Sequence, residues 1–142
     1  MIAAGLGCRK GCSPTDIIQA LSLALELEGL GVADVQVLVS MAPKATEAGL
    51  HAAAAELGKR LVLLPESALA AQASGALTAS ASVAARFDLP SVAETAALAG
   101  AVVLAGANGR ARLLGPRQVA GGAACALAIG LQGDGPGSES PR

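Results

Sequence analysis

The sequence predicts a single three-layer α/β domain with a mostly parallel sheet and a late β-hairpin. Three observations lead there. Over the first half of the chain, short β-branched or aliphatic runs alternate with segments of helical period, the order that parallel strands joined by helices produce. The connections between them are short and marked by Gly and Pro, which favours right-handed crossovers. Later, Asn108-Gly109 lies between two apolar runs, the strongest short-range hairpin signal. With 53% hydrophobic and 15% charged residues, a chain of 142 residues can bury a core. Phe87 is the only aromatic residue, so that core must be aliphatic and rich in alanine.

The first strand is the apolar stretch Ile2 to Leu6, which runs directly into Gly5-Leu6-Gly7-Cys8-Arg9-Lys10-Gly11-Cys12. Ser13 is a good N-cap, Pro14 suits the first helical position and Asp16 complements the helix dipole. Ile17, Ile18, Leu21, Ala24 and Leu25 follow as a buried stripe, and Gly29 and Gly31 end the helix. Val35 to Val39 reads as the second strand. A second helix spans about Thr46 to Leu57, with Ala53, Ala54 and Leu57 inward and Gly58 as its stop. Arg60 to Leu64 is the third strand, and Pro65-Glu66-Ser67 starts a short helix. Residues 73 to 82 are small and polar and read as a surface loop, with a helix near Val83 to Phe87 beyond it. Ser91 and Glu94 form a Ser-x-x-Glu capping box for the next helix. Ala101 to Leu104 and Ala111 to Leu114 are the two arms of the hairpin, and Ala123 to Ile129 is the last strand. Residues 1–131 make the domain, and residues 132–142 read as a disordered tail.

Composition argues against several functions. A net charge of −1 and the lack of Trp and Tyr leave neither a basic field nor stacking platforms for nucleic acid. No apolar run reaches the roughly 18 residues of a membrane span. The amino terminus lacks the pattern of a secretory signal. Cys8, Cys12 and Cys125 are odd in number and lack the spacing of a disulfide framework, so a reduced, cytoplasmic setting is expected.

The turn from Gly5 to Ser13 is the main candidate site. Its glycines allow close approach of a ligand, Arg9 and Lys10 supply charge, and the amides and dipole of the following helix face the same region. The structural alternative is a tight connection with solvated cations. The spacing matches neither a dinucleotide fingerprint nor a phosphate-binding loop. Cys8 and Cys12 have too few companions for a zinc site. Cys8 is either a thiolate activated by its cationic surroundings or a small buried residue. Lys44 and Glu47 fall at the carboxyl end of the second strand, where a parallel sheet opens its crevice beside the first turn. His51 reads as a solvated surface residue, Cys125 as core, and Glu94 as a capping carboxylate. Arg112 and Arg117 either bind carboxylates or face water.

Gly7-Cys8-Arg9-Lys10-Gly11-x-Ser13, Lys44-x-x-Glu47-x-Gly49-Leu50 and Ser91-Val92-Ala93-Glu94-x-Ala96-Ala97-Leu98 occur in that order, before an Ala-rich closing strand. This arrangement resembles the cobalamin-biosynthesis family comprising stand-alone CobE and the C-terminal domain of CbiG. The resemblance covers nearly all of residues 2 to 130, and the length suggests the stand-alone type. Cys8, Arg9, Gly11, Lys44 and Glu47 match the family's motifs. Cys12 stands where relatives often have a small aliphatic or hydroxyl residue, and Asp88 where they commonly have glycine.

The resemblance implies a cobalamin-pathway protein that binds a precorrin-type tetrapyrrole as carrier or accessory factor, with no cofactor. Gly7, Cys8, Arg9, Lys10, Gly11, Ser13 and Lys44 are the expected binding residues. Precorrins are fringed with carboxylates, which suits cations beside helix amides. Two alternatives stay open. One is a hydrolase opening a cobalt-precorrin lactone with release of acetaldehyde, for which Lys44, Glu47 and Glu94 are the candidate catalytic residues. The other is a docking partner of a pathway methyltransferase. Expected partners are the precorrin-type molecule and other enzymes of the pathway.

Overall fold

The computed structural model describes residues 1–42, 47–77 and 91–132. In chain order these form β1 (Ile2–Cys8), α1 (Pro14–Leu27), β2 (Val35–Met41), α2 (Ala48–Leu57), β3 (Leu61–Leu64), α3 (Glu66–Ala70), α4 (Val92–Ala105), β4 (Arg110–Leu113), β5 (Gln118–Ala120) and β6 (Ala123–Leu131). The strands make one six-stranded sheet in the order β3-β2-β1-β6-β4, with β5 also pairing β6. β1, β2 and β3 run parallel, whereas β6 runs antiparallel to β1, β4 and β5. β6 is long enough to serve two partners along one edge: Ala123 to Cys125 face β5, and Ala128 to Leu131 face β4.

Alternation along the strands splits the core in two. Ala4, Leu6 and Cys8 of β1 and Ala123, Cys125 and Leu127 of β6 face α1 and α2. Ala3, Val37, Val39, Met41, Ala126 and Ala128 face α3 and α4. Side chains that alternate across a pleated sheet produce this division, and it makes the three layers. Helix α4 is buried on every side over its first three turns. It lies so near the sheet that a Cβ on Gly5 would collide with the backbone of Ala93 and Ala97. Small residues at the contact permit that distance. The alanine content of β6 is therefore a packing requirement, and that of α4 serves helix propensity as well.

The late hairpin forms, but at a different place from the one predicted. Residues 101 to 104 do not form a strand. They continue α4 to Ala105, where Gly106 caps the helix with φ +84. Val102, Val103 and Leu104 have strand-like chemistry, but the helix they extend packs across β1 and β6, and tertiary burial overrides local preference. Asn108 (φ +61) then turns the chain into β4. The actual hairpin is β5–β6, closed by Gly121-Gly122 with Gly121 at φ +56. A Gly-Gly pair is itself a hairpin signal.

β2 runs two residues beyond its predicted end, and Ala73–Gly75 is a turn of 3-10 helix. The expected helix at residues 83–87 and most of the expected tail lie outside the described residues. Among the described residues, no helix is long and apolar enough to cross a membrane.

Candidate functional site

The expected binding residues from Gly7 to Ser13 leave the carboxyl end of β1 as one tight turn. Ser13 caps α1 as predicted, its Oγ accepting the Asp16 amide at 3.1 Å. Gly11 takes φ +77, the left-handed region that glycine occupies without strain. That reversal brings the Cα atoms of Cys8 and Cys12 to 5.9 Å, and their sulfurs are joined in a disulfide. No pattern of spacing announces this pairing, because the bond closes over only three intervening residues and depends on the turn. Cys8 is therefore neither a free thiolate nor a lone buried thiol in this structure. Cys125 is free and fully buried, and burial pushes its thiol far above the usual range.

Three other segments close around the turn. The Glu47 carboxylate, at the N-cap of α2, accepts the Gly11 amide at 2.8 Å. A Cβ on Gly49 would strike the Cys12 carbonyl, so the first turn of α2 rests directly on the Gly7–Ser13 turn. From the β5–β6 hairpin, the Gly122 carbonyl accepts the Arg9 amide at 2.9 Å. The Gly122 amide donates to Asp16 Oδ2 at 3.2 Å. On the other face of the sheet, the Ala93 nitrogen lies 3.6 Å from where a Gly7 Cβ would sit, placing the start of α4 over β1. The N-terminal ends of α1, α2 and α4, each ten residues or longer, thus gather around Gly7 to Ser13. Their dipoles point positive ends at one rim. Arg9 and Lys10 are exposed there.

This geometry alters the chemistry expected of the turn. The amides of Arg9, Gly11 and Cys12 are bonded within the protein: to Gly122, to Glu47 and to the Arg9 carbonyl. The charge left facing solvent at this rim is that of the Arg9 and Lys10 side chains, while those three amides are already bonded. Glu47 holds the turn in place. Lys44 lies outside the described residues.

Glu94 is next to this rim in sequence but faces elsewhere. Ser91 Oγ accepts the Glu94 amide, as the capping box requires. The Glu94 carboxylate is fully buried and accepts the Leu77 amide through Oε1 and the Arg117 amide through Oε2, each at 2.9 Å. It ties the segments before and after α4 to the first turn of that helix. Arg112 is exposed on β4, and His51 on α2. Among the described residues, no group of three or more His, Cys, Asp or Glu could hold a metal ion. The Asp16–Gly122 and Glu94–Arg117 contacts each span more than twenty residues of sequence, so no local pattern announces them.

Fold and rim together define a small three-layer α/β protein whose central strands end, at their carboxyl side, in a rim that carries Arg9 and Lys10 beside the acidic residues Asp16 and Glu47. The model of the Cobalamin synthesis G C-terminus family matches residues 2–128, so the chain belongs to that family and is a cobalamin-biosynthesis protein. Two solved structures agree. One is CobE, described as a protein from the cobalamin (vitamin B12) biosynthetic pathway. It is 35% identical, with 90% of this chain and 89% of that chain covered and a TM-score of 0.84. The other is the cobalamin biosynthesis protein chiG from Agrobacterium tumefaciens str. C58. It is also 35% identical, with 91% and 98% covered and a TM-score of 0.67. No curated protein matches the sequence.

Proposed function

We propose that this protein binds a precorrin-type tetrapyrrole as a carrier or accessory factor, gripping its carboxylates at the rim formed by Gly7, Cys8, Arg9, Lys10, Gly11 and Ser13, with Lys44 contributing from the β2–α2 connection. The observation that carries the reading is the convergence of three helix N-termini on exposed Arg9 and Lys10. A molecule fringed with carboxylates would meet the Arg9, Lys10 and Lys44 cations together. Each exposed ion pair contributes under about 1 kcal/mol, but several acting together give useful affinity. The Glu47 and Glu94 carboxylates both accept backbone amides, which favours a structural role over general acid–base work for them. In this reading the protein works in the cytoplasm beside the other enzymes of the pathway.

Titration with a precorrin intermediate, followed by its absorbance, tests the proposal. Wild-type protein should bind, and added salt should weaken the complex. Arg9→Ala with Lys44→Ala should weaken it by roughly tenfold, about 1.4 kcal/mol. Unchanged affinity in that double variant would remove the site assignment. Release of acetaldehyde from a lactone-bearing precursor, with turnover, would replace the carrier by a hydrolase. The absence of any spectral change would favour a protein that docks on a pathway methyltransferase.

A further inference from the structure

We propose that Cys8 and Cys12 form a reversible thiol–disulfide couple whose state sets the geometry of the Gly7–Ser13 turn. The inference does not depend on what the rim binds.

The position of the bond argues against a purely structural staple. A cross-link that closes over three residues restricts the unfolded chain less than one closing a long loop, by about 2 kcal/mol against about 4.7 kcal/mol for a loop of about 100 residues. Cys8 belongs to the core under α1 and α2, and Cys12 packs against that core from the rim. The bond spans a segment held by the β5–β6 hairpin on one side and by α2 on the other. Between the two cysteines lie Arg9, whose amide is held by Gly122, and Gly11, whose amide is held by Glu47. Cys12 itself donates to the Arg9 carbonyl, and its own carbonyl rests on Gly49 of α2.

The surroundings also suit exchange. Cys12 is half-buried beside exposed Arg9, Lys10 and Gly11, so a small thiol can reach it, whereas Cys8 is anchored in the core. Oxidation by a small-molecule disulfide such as oxidised glutathione is balanced. The Cys12 thiolate attacks one glutathione sulfur and expels a glutathione thiolate. The Cys8 thiolate then attacks the Cys12 sulfur of the mixed disulfide and expels the second. The protein loses two electrons, the glutathione disulfide gains them, and the two thiol protons pass to the released glutathiones.

In this proposal reduction relaxes the turn. Two thiols cannot remain at bonding distance and have to separate to van der Waals contact. Cys8 is fixed by β1 and the core, so Cys12 moves. Its backbone is coupled to Arg9 and Gly49, and the shift reaches the Gly11–Glu47 bond.

The test uses the full chain equilibrated in glutathione mixtures from fully reduced to fully oxidised. Samples are quenched in acid, denatured, alkylated and weighed intact. The number of alkylated cysteines should rise from one, Cys125, to three as the mixture becomes reducing. In parallel, the Gly11 amide resonance should move between two positions along the same transition. In Cys12→Ser it should stay at the reduced position in every mixture. Three alkylated cysteines in oxidised glutathione would mean that the bond does not form. One in reduced glutathione would mean a permanent staple. A Gly11 resonance that ignores the redox state would show that the turn is indifferent to the bond. Any of these results overturns the proposal.

Discussion

Replacing Gly5 by alanine should destabilise the protein far more than the same change two residues along, at Gly7. Both glycines lie in β1 and face α4. A Cβ on Gly5 would come within 2.9 Å of Ala97 Cα and closer still to the Ala93 carbonyl oxygen and the Ala97 nitrogen. All three are backbone atoms of a buried helix, so no side chain can swing away. Helix α4 would have to lift off the sheet. Overpacking of this kind costs typically 1–3 kcal/mol, and a rigid obstacle puts the cost at the upper end. Removing a glycine from a strand interior returns roughly 0.5–1 kcal/mol. The net loss for Gly5→Ala is about 2 kcal/mol. At Gly7 the nearest atom lies 3.6 Å from the added carbon, an ordinary contact, so Gly7→Ala should be neutral or stabilising by up to about 1 kcal/mol. Urea unfolding followed by circular dichroism measures both, with the midpoint shifting and the slope unchanged. Equal stability of the two variants, or a Gly5→Ala protein as stable as wild type, would refute the claim that α4 sits directly on β1.

Two further outcomes follow from buried groups. Glu94→Gln replaces a carboxylate that accepts two amides by a group with one acceptor oxygen. The Leu77 or the Arg117 amide then faces an NH2 group, costing about 2–3 kcal/mol and speeding hydrogen exchange at one of those amides; a loss under about 0.5 kcal/mol would contradict the assignment. Cys125 should resist alkylation in the folded protein and react only on unfolding. Its thiol stays neutral in the folded state while the unfolded one ionises near pH 9.0. The unfolded state therefore binds fewer protons above that pH, and stability should fall by about 1 kcal/mol per pH unit as pH rises further. Urea midpoints between pH 8 and 10 measure this slope, which Cys125→Ala should flatten; an equal slope in the variant would be inconsistent with a buried neutral thiol.

The parts of the molecule legible in its sequence are the local ones. The Ser13-Pro14 start of α1, the Gly58 stop of α2 at φ +66, the β-branched run of β2 and the Ser91 cap of α4 each depend on neighbours within a few residues. Their physics of capping, backbone freedom and periodic burial is short-ranged, so the amino-acid order determined them, and with them the parallel half of the sheet and the position of the turn after β1. The family motifs were equally legible, since they are stretches of consecutive residues.

Tertiary structure decided the rest. Whether residues 101 to 104 became strand or helix depended on burial against β1 and β6, which no window of sequence contains. The pairing of Cys8 with Cys12 required the left-handed Gly11 that folds the turn back on itself. Glu47 bonds a residue 36 positions away, and Asp16 one 106 positions away. Those contacts give the rim its shape and occupy amides that sequence alone offered to an anion. They arise only after the sheet has brought distant segments together, because hydrogen bonding acts over a few ångströms of space regardless of separation along the chain.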